Sequence, residues 1–492
     1  MVSRPRVVVG RRRRIAVVPR SVRLVTVAAL VAGCLVLVAC DGGPPEGARG
    51  GSGGSRGAAG VGDPYFPKAG NGGYDVTHYG LTLSYVPDGN RLRGTAVVTA
   101  RATQDLSSFD LDLLGMDVEE VRVEGAVARF RREGQELVVR PSEPLAGGEA
   151  FEVRVRYSGS PVTITDADRS QEGWLRTADG VLALGEPTGS MAWFPGAHHP
   201  SDKASYDVAV TVPKGLTAVS NGEPRGRRTG PDGRTTFRWH TAEPTASYAA
   251  TLAIGRFTVT TSVLGGGLPA YVAVDPSQVA ASRAVLARLP EVMDWARDSF
   301  GSYPFSSVGA IVDRPGDAGY ALETQNRPVF PGAPGMETFV HELAHQWFGV
   351  SVTPRSWRDM WLSEGLATYA EWLWTEDEGG ATAEETFRAL YDHGADVYED
   401  LWDFPPAKPP GPAHISDAPV YQRGAMVVHR VRQALHDDDA FHGLLRGWAA
   451  ARRHGNARTE DFTAFVEKRA PQVDFDGIWS QWLYGEGRPP RP

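Results

Sequence analysis

Cysteine is almost absent from this 492-residue chain, which contains two, Cys34 and Cys40. Both lie in the first forty residues, so the rest of the chain forms no disulfide and must draw its stability from the size of its core. No apolar run is long enough for a comfortable membrane span, and no internal repeat appears. Aromatic residues are plentiful and charges of both signs are mixed, which argues against a disordered or fibrous chain.

Acidic residues are missing from the first forty positions, which carry eight arginines instead. An apolar run from Leu24 to Ala39 follows all eight arginines, and this order is typical of a secretory leader. The run ends in Leu-Val-Ala-Cys40, which resembles the lipobox at which bacterial lipoproteins are cut and acylated. We predict residues 1–40 to be a signal peptide with a lipobox, and Cys40 to carry the lipid. A plain signal peptide, an uncleaved anchor and a rival lipobox ending at Cys34 stay open.

Removal of the leader takes away its eight positive charges and changes the formal net charge from −8 to −16. The negative net charge of the chain without its leader argues against a nucleic-acid partner and favours solubility outside the cell. We expect the protein on the extracellular face of the membrane as a lipoprotein, or secreted. Residues 41–64 are rich in Gly, Ser and Pro, which predicts a flexible tether between the lipid and the folded part.

Alternation of apolar and polar residues dominates residues 65–262, as in Phe151 to Tyr157 and Tyr206 to Val212. We therefore predict an N-terminal antiparallel β domain. After residue 263 two strands are followed mainly by helical patterns, so residues 263–492 are predicted to form a second, α+β domain. The predicted strands cover 270–274 and 308–312, and the predicted helices cover 284–300, 336–348, 361–374, 424–435 and 459–468.

His341-Glu342-Leu-Ala-His345 is the first segment that points to chemistry. On a helix the two imidazoles lie one turn apart on one face, a spacing that suits two zinc ligands. Glu342 is not aimed as a ligand, but it can reach a zinc-activated water as general base. A catalytic zinc needs a third protein ligand, and Glu364 follows at the start of the next helical pattern. Ordinary polar positions on exposed helices are the alternative, but the aromatic residues around all four side chains favour a buried cleft.

These segments resemble the aminopeptidase N family of gluzincin zinc peptidases. The resemblance runs through His341-Glu-Leu-Ala-His345-Gln-Trp-Phe-Gly and Trp357-Arg-Asp-Met-Trp-Leu-Ser-Glu364-Gly, at the family's separation of the two motifs. It implies a β-saddle domain followed by a thermolysin-like catalytic domain that holds one zinc ion. The segment from Ile478 to Gly485 resembles the close of that catalytic domain, so a short form without the family's helical C-terminal domain is expected.

The resemblance also implies roles in substrate binding. Gly319-Tyr-Ala321-Leu-Glu323 is similar to the family's Gly-Ala-Met-Glu-Asn strand, whose glutamate binds the free α-amine of the substrate and whose backbone pairs with the peptide. Tyr421 stands where the family has the tyrosine that stabilises the oxyanion, and Glu186 where a second amine-binding residue is found. Without the resemblance, Glu323 would be interpreted as a surface carboxylate at the end of a strand and Tyr421 as a packing residue, and Glu186 would equally be a structural acid of a loop.

Several neighbouring residues are interpreted as supporting or structural. Glu371, two turns after Glu364, is either a group that orients a metal ligand or a surface acid. His198 and His199 are adjacent on a predicted strand and point apart, so we predict a structural role for both. The chain departs from the family pattern at Leu322, Thr324, Val350, Arg423 and His198. None of these departures changes a predicted metal ligand or the predicted general base. They bear instead on which substrate the protein prefers.

The sequence thus predicts a zinc-dependent aminopeptidase that acts on peptides with a free N-terminus and is attached to the membrane by its lipid. Two alternatives are kept. One is a catalytically silent, lipid-tethered peptide-binding protein, which a lack of bound zinc would favour. The other is a zinc hydrolase that needs no free amine, either an endopeptidase or an epoxide hydrolase. The preferred first residue and the oligomeric state do not follow from the sequence.

Overall fold

A computed structural model describes residues 54–492 of the chain. The predicted signal peptide, Cys40 and the first part of the predicted tether lie outside these residues. Within residues 54–492, no helix is both long enough and apolar enough to cross a membrane.

The largest sheet has eight strands, and its alternating apolar residues form much of the core of the N-terminal domain. All neighbouring strands are antiparallel except Lys203–Val212, which runs parallel to Tyr74–Val86. In spatial order, the strands are Glu223–Thr229, Thr235–Ala246, Lys203–Val212, Tyr74–Val86, Arg91–Ala102, Ala150–Gly159, Asp117–Val123 and Ala126–Val127. The predicted β-rich N-terminal domain is confirmed.

Two smaller sheets complete this domain. The four-stranded sheet has the order Ser55–Arg56, Leu106–Asp112, Glu136–Arg140 and Arg129–Glu133. The five-stranded sheet has the order Thr163–Thr165, Gln171–Arg176, Val181–Leu184, Leu252–Gly255 and Thr217–Ser220. Apolar residues from the strands of all three sheets pack into one cluster that includes Phe109, Trp174 and Val210.

The predicted flexible tether extends too far at its C-terminal end. Residues 55 and 56 form a short strand parallel to Leu106–Asp112, and Asp63 is buried. The Asp63 carboxylate accepts hydrogen bonds from the backbone N–H groups of Tyr65 and Trp357, at 2.8 and 3.0 Å. Residues 54–64 therefore pack onto the folded body, because hydrogen bonds to distant partners outweigh the conformational freedom of their small side chains.

The second domain is built on a four-stranded sheet with the order Thr258–Val263, Pro269–Val274, Val308–Val312 and Val329–Phe330. Because Thr258–Val263 pairs with Pro269–Val274, the boundary predicted after residue 262 moves to between Gly255 and Thr258. The two strands predicted from the sequence are both present. A two-residue pairing joins Thr353–Pro354 to Asn456–Ala457.

Helices make up most of the rest of this domain. The α-helices are Val279–Leu286, Leu289–Phe300, Met336–Ala344, Trp361–Asp377, Ala383–His393, Gly424–Leu435, Asp438–Ala451, Thr459–Arg469 and Asp476–Ile478. The helix predicted over 284–300 is instead two helices, since Pro290 near the start of the second cannot continue the hydrogen bonding of the first. The predicted α+β architecture, rich in helix, is confirmed.

Candidate active site

The helix Met336–Ala344, called the motif helix below, carries the first two predicted ligands. It begins after the extended Gly335 and ends where His345 forms its C-cap, four residues before the predicted end. One helical turn separates the histidines, so both side chains lie on one face and their Nε2 atoms are 2.9 Å apart. Both residues are buried, as the aromatic surroundings in the sequence indicate.

Glu364 reaches the same point from the first turn of Trp361–Asp377, called the glutamate helix below. Its Oε2 lies 3.3 Å from His341 Nε2 and 3.4 Å from His345 Nε2. Burial opposes ionisation of this carboxyl, yet the two histidines outweigh it and hold the pKa of Glu364 well below its usual range. The predicted convergence of the three side chains is confirmed.

Hydrogen bonds at the far side of each ring fix which nitrogen faces the centre. His341 Nδ1 donates to Glu371 Oε1 at 2.6 Å, and His345 Nδ1 donates to the Phe348 carbonyl at 2.9 Å. Each ring then presents the lone pair of Nε2 to the shared point. Of the two interpretations of Glu371, the structure supports the one in which it orients a ligand.

The three donor atoms fit a zinc ion. Tetrahedral zinc with bonds of about 2.0–2.1 Å places its ligand atoms roughly 3.3–3.4 Å apart. The separations here, 2.9 to 3.4 Å, are close to that spacing. Two neutral imidazoles and one carboxylate are also the donor set of known catalytic zinc sites with an open fourth position.

Gly349 allows the two ligand-bearing helices to approach. Its φ of +111° lies in the left-handed region that favours glycine. A Cβ at this position would lie 2.1 Å from Ser363 Oγ and 2.9 Å from His345 Nδ1. Any side chain here would therefore displace the second histidine or the start of the glutamate helix.

Glu342 lies beside the converged ligands but is not one of the three. Its carboxylate is within 4.8 Å of ligand atoms of His345 and Glu323, and its Oε2 is buried without a hydrogen-bond partner. Burial raises the pKa of Glu342 to about 8, against the lowering effect of the two histidines. A carboxyl tuned close to neutrality is suited to both accepting and returning a proton.

Glu186 and Glu323 form a second acidic group in the same cleft. Their carboxylates and that of Glu364 have oxygen atoms within 4.8 Å of one another, and Glu323 Oε1 is buried without a partner. Burial raises the pKa values of Glu186 and Glu323, and repulsion from neighbouring carboxylates raises them further. Such a pair has a strong tendency to bind a cation.

The segment 319–323 lies along the edge of the cleft, with a bend at residues 319 and 320 followed by a single β-bridge at Leu322. Leu322 exchanges both backbone hydrogen bonds with Val329, at 2.9 and 2.8 Å. Backbone groups alternate between the two edges of an extended segment, so those of Ala321 face away from Val329. Gly319 and Ala321 both line the cleft. The strand that the family resemblance implies is thus a single β-bridge between Leu322 and Val329. The backbone groups on its other edge are free to pair with a peptide.

Gln346 ties this segment to the motif helix. Its Oε1 accepts from the Asn326 backbone N–H at 2.8 Å, and its Nε2 donates to the Thr324 carbonyl at 3.3 Å. Because Gln346 directly follows His345, it couples the position of the Glu323 segment to that of the ligands. Gln346 lies within the motif from His341 to Gly349, but the local sequence carries no signal for this positioning role.

Tyr421 lies in a π-helical turn, Pro419–Arg423, immediately before the helix Gly424–Leu435. Its ring stacks on that of His341, with 6.0 Å between centroids and 8° between planes. Burial and the carboxylates of the cleft raise the pKa of Tyr421 well above its usual range, so the phenol keeps its proton. Close contact of the helices supports this placement, since a Cβ on Gly365 would lie 2.8 Å from the Gly424 carbonyl carbon.

The cleft that joins these groups has a volume of about 790 Å³. The N-terminal domain contributes Glu186 and the turn around Asp168, and the second domain contributes the ligands, Glu342 and Tyr421. The site residues predicted within the described part of the chain therefore meet in one cleft.

His198 and His199 lie elsewhere, as predicted. His198 Nε2 donates to the Phe194 carbonyl at 2.9 Å, and burial lowers the pKa of His198 to about 4. His199 Nδ1 lies 2.7 Å from Ser201 Oγ, and its Nε2 lies 3.3 Å from Asp63 Oδ2. Both are packing and hydrogen-bonding residues of the N-terminal domain.

Comparison with known proteins agrees with this geometry. The family model for the peptidase family M1 domain matches residues 334–482, and that for the peptidase M1 N-terminal domain matches residues 75–249. The crystal structure of an M1 zinc metallopeptidase from Deinococcus radiodurans is 31% identical, with a TM-score of 0.78 over 88% of this chain and 98% of that chain. A mutant of that peptidase bound to a Tyr-Ser-Ala substrate is 30% identical, with a TM-score of 0.79 over 88% and 99%.

Curated relatives are more distant in sequence and longer. A probable aminopeptidase 1 from Saccharolobus solfataricus is 21% identical over 84% of this chain and 54% of its own length. Aminopeptidase B from Rattus norvegicus is 25% identical over 73% of this chain and 58% of its own length. The chain thus spans about half the length of the curated relatives it matches. The fold and the site are those of a two-domain metallopeptidase. The chain belongs to peptidase family M1.

Proposed function

We propose that the protein is a zinc-dependent aminopeptidase that removes the N-terminal residue from peptides. The observation that carries the proposal is the presence, in one cleft, of the ligand set His341, His345 and Glu364 beside the unpaired carboxylates of Glu342 and Glu323. The set of metal ligands alone would be consistent with many kinds of hydrolase. A buried acidic pair next to them adds a site for the ammonium group of a peptide.

One zinc ion would be held by His341, His345 and Glu364. When bound, zinc supplies a Lewis acid that lowers the pKa of water and polarises a carbonyl oxygen. The donor separations and the orientation of both imidazoles fit that ion, as described above.

Glu342 acts as the general base in this proposal. It accepts a proton from the attacking water and returns it to the departing amine, a double role that its raised pKa favours. Tyr421 keeps its phenolic proton and donates it in a hydrogen bond to the oxyanion that develops on the substrate carbonyl. Its ring is held at the site by stacking on His341.

Glu323 and Glu186 bind the free α-amine. Burial, with repulsion from neighbouring carboxylates, raises the pKa values of both groups, and an ammonium between them would offset these costs and fix the end of the peptide relative to Glu342. The free backbone edge at Gly319 and Ala321 pairs with the extended peptide. A mutant M1 zinc metallopeptidase from Deinococcus radiodurans has been solved with a Tyr-Ser-Ala substrate, and a mutant two-domain M1 zinc metallopeptidase has been solved with L-arginine; both support a peptide substrate for this chain.

Hydrolysis of a panel of amino acid arylamides by the zinc-loaded protein tests this proposal. Glu342→Gln should lower kcat by about 100-fold or more while its zinc content stays at one ion per chain. Glu460→Gln is the control, because Glu460 is an exposed acid of the same domain that does not line the cleft and should leave kcat nearly unchanged. Full activity in Glu342→Gln would refute the role of the base. Bound zinc without cleavage of any substrate would favour the peptide-binding alternative.

Export and lipid attachment are proposed from the sequence. The arginine-rich leader and the segment Leu-Val-Ala-Cys40 support acylation at Cys40 and a location on the extracellular face of the membrane. Metabolic labelling with a fatty acid in a bacterial host tests this, with Cys40→Ser expected to lose the label. Cys34→Ser is the matched control and should keep it. The reverse pattern would identify the rival lipobox, and no label in the native chain would contradict acylation.

A further inference from the structure

Glu172 is a fully buried acid that the mechanism proposed above does not use. It lies in the strand Gln171–Arg176 of the N-terminal domain. The residue before it, Gln171, lines the cleft, whereas Glu172 does not. A buried carboxyl is costly unless hydrogen bonds offset the loss of water, so the partners of Glu172 indicate what this side chain does.

The hydrogen bonds of the Glu172 carboxyl go to the turn that follows Glu186. The backbone N–H of Thr188 donates to Oε2 at 3.0 Å, and that of Gly189 donates to the same oxygen at 2.9 Å. The Thr188 hydroxyl donates to Oε1 at 2.9 Å. Burial raises the pKa of Glu172 to about 8, and these bonds act against that rise. One buried side chain thus holds both residues of the turn.

Glu186 lies inside this turn. The Gly189 N–H also donates to the Gly185 carbonyl at 2.9 Å, which closes residues 185–189 into one turn. The turn packs closely against its own domain, since a Cβ on Gly189 would lie 2.1 Å from the Leu184 carbonyl oxygen. Because Glu172 holds one end of so short a turn, it also fixes the backbone from which the Glu186 side chain extends.

The second domain contacts the same turn through Tyr320, three residues before Glu323. The Tyr320 hydroxyl donates to the Glu186 carbonyl at 3.3 Å. Burial and the carboxylates of Glu172 and Glu186 raise the pKa of Tyr320 well above its usual range, so the phenol keeps the proton that it donates. The backbone at Glu186 is therefore fixed by hydrogen bonds from both domains, and Glu172 supplies those of the N-terminal domain.

We propose that Glu172 is a positioning residue that holds Glu186 where its carboxylate meets Glu323 and the amine of the substrate. The inference rests on the amine-binding role of Glu186 in the proposed function. Glu186 and Glu323 have carboxylate oxygens within 4.8 Å of each other, a gap that one ammonium spans with hydrogen bonds of about 2.7–2.9 Å. A displacement of the turn by about 1 Å would break one of these bonds, so the amine site depends on Glu172 although Glu172 does not touch the substrate.

Binding of two hydroxamates to the zinc-loaded protein tests this role by titration calorimetry, which needs no turnover. L-Alanine hydroxamate and its N-acetyl form share a zinc-binding group and differ in the amine alone. The Kd of the acetylated form divided by that of the free form, called the amine selectivity below, should be about 100 or more in the native protein. Glu172→Leu removes both acceptor oxygens and should lower the amine selectivity about 10-fold. The Kd of the acetylated form and the zinc content should not change.

Two further variants separate position from charge. Glu172→Gln should keep the native amine selectivity, because the amide oxygen can accept both backbone N–H groups and the amide nitrogen can donate to the Thr188 hydroxyl. Glu143→Gln, at an exposed acid of the same domain, is the control for a general change in charge. In a Glu186→Gln background, Glu172→Leu should cause no further fall, because its effect passes through Glu186.

Several results would overturn the proposal. Equal Kd values for the two hydroxamates in the native protein would refute the amine site itself, and with it the aminopeptidase function. Native selectivity that survives in Glu172→Leu would refute the positioning role alone. Weaker binding of both hydroxamates by the same factor would show a general structural role, and a further fall in the Glu186→Gln background would show an effect that bypasses Glu186.

If Glu172→Leu fails to fold, Thr188→Val replaces it. Valine keeps the shape of threonine and removes the hydroxyl that donates to Glu172, so the amine selectivity should fall about 3-fold. Thr188→Ser retains the hydroxyl and should keep the native value. Native selectivity in Thr188→Val would contradict the proposal.

Discussion

His341 donates a hydrogen bond from Nδ1 to Glu371 Oε1 over 2.6 Å, from the motif helix to the glutamate helix. Glu371 lies two turns after Glu364 on the same helix, so this helix supplies one metal ligand and also orients another. The bond fixes the tautomer of His341 with the lone pair of Nε2 directed at Glu364.

Replacement of Glu371 should therefore weaken zinc binding without removing a ligand. We expect Glu371→Gln to lower the zinc affinity by about 10-fold or more, because the amide bonds less strongly to Nδ1 and carries no charge. Competition with a chromophoric chelator measures this affinity. Glu378→Gln, at an exposed acid at the end of the same helix, is the control. Equal affinities for the native protein and Glu371→Gln would show that the hydrogen bond does not support the metal.

Tyr421→Phe should lower kcat by about 100-fold with little change in KM, because the hydroxyl is needed mainly once negative charge develops on the substrate carbonyl. The ring stacks on His341, so phenylalanine keeps the packing and the zinc content should not change. Steady-state kinetics on an arylamide, with zinc analysis of the same sample, measures both quantities. An unchanged kcat would assign Tyr421 to packing alone.

Asp63→Asn should destabilise the protein by about 2–4 kcal/mol, because the amide cannot accept all the hydrogen bonds that the carboxylate accepts. The carboxylate binds Tyr65 and Phe66 of its own segment, and Ser356 and Trp357 of the second domain. Denaturant unfolding measures the loss, with Asp88→Asn in an exposed turn as control. A loss below about 0.5 kcal/mol would mean that residues 54–64 are not held as described.

Acid should destabilise the protein partly through His198. Burial lowers the pKa of His198 in the folded state to about 4 from its ordinary value of 6.5, so between these values the unfolded chain binds a proton that the folded chain does not. Stability from this histidine is present above pH 6.5 and lost as the pH falls toward 4. We expect the stability difference between the native protein and His198→Gln, both zinc-free, to shrink by about 1–3 kcal/mol over that interval. A constant difference would mean that His198 titrates normally.

The metal ligands were predictable because their signals are local. A single helical turn sets the geometry of His341 and His345, and Glu364 follows near the start of the next predicted helix, from which it can approach the same point. The same helical periodicity placed Glu371 on the face of Glu364, but its role as an orienting group rather than a surface acid came from its hydrogen bond to His341. Glu323, Glu186 and Tyr421 had no comparable local signal, and only the family resemblance pointed to them.

The errors concern contacts between residues far apart in the sequence. Residues 54–64 are small and polar, which predicts a flexible tether, but Asp63 bonds to Trp357 almost three hundred positions later. The predicted start of the second domain is five residues too late. The pairing of Thr258–Val263 with Pro269–Val274 depends on tertiary contacts, which the local sequence does not show. Asp112 and Glu136 lie opposite each other because of the register between the strands Leu106–Asp112 and Glu136–Arg140. The alternation of apolar and polar residues in the sequence does not determine that register.

The most direct test of the proposed activity compares one arylamide with a free amine and the same arylamide with an acetylated amine. In the proposed function Glu323 and Glu186 bind an ammonium, so we expect acetylation to lower kcat/KM by at least about 100-fold. The comparison uses zinc-loaded native protein at one pH, so the two substrates differ in the amine alone. Equal kcat/KM values for the two substrates would contradict the aminopeptidase assignment and favour a zinc hydrolase that needs no free amine.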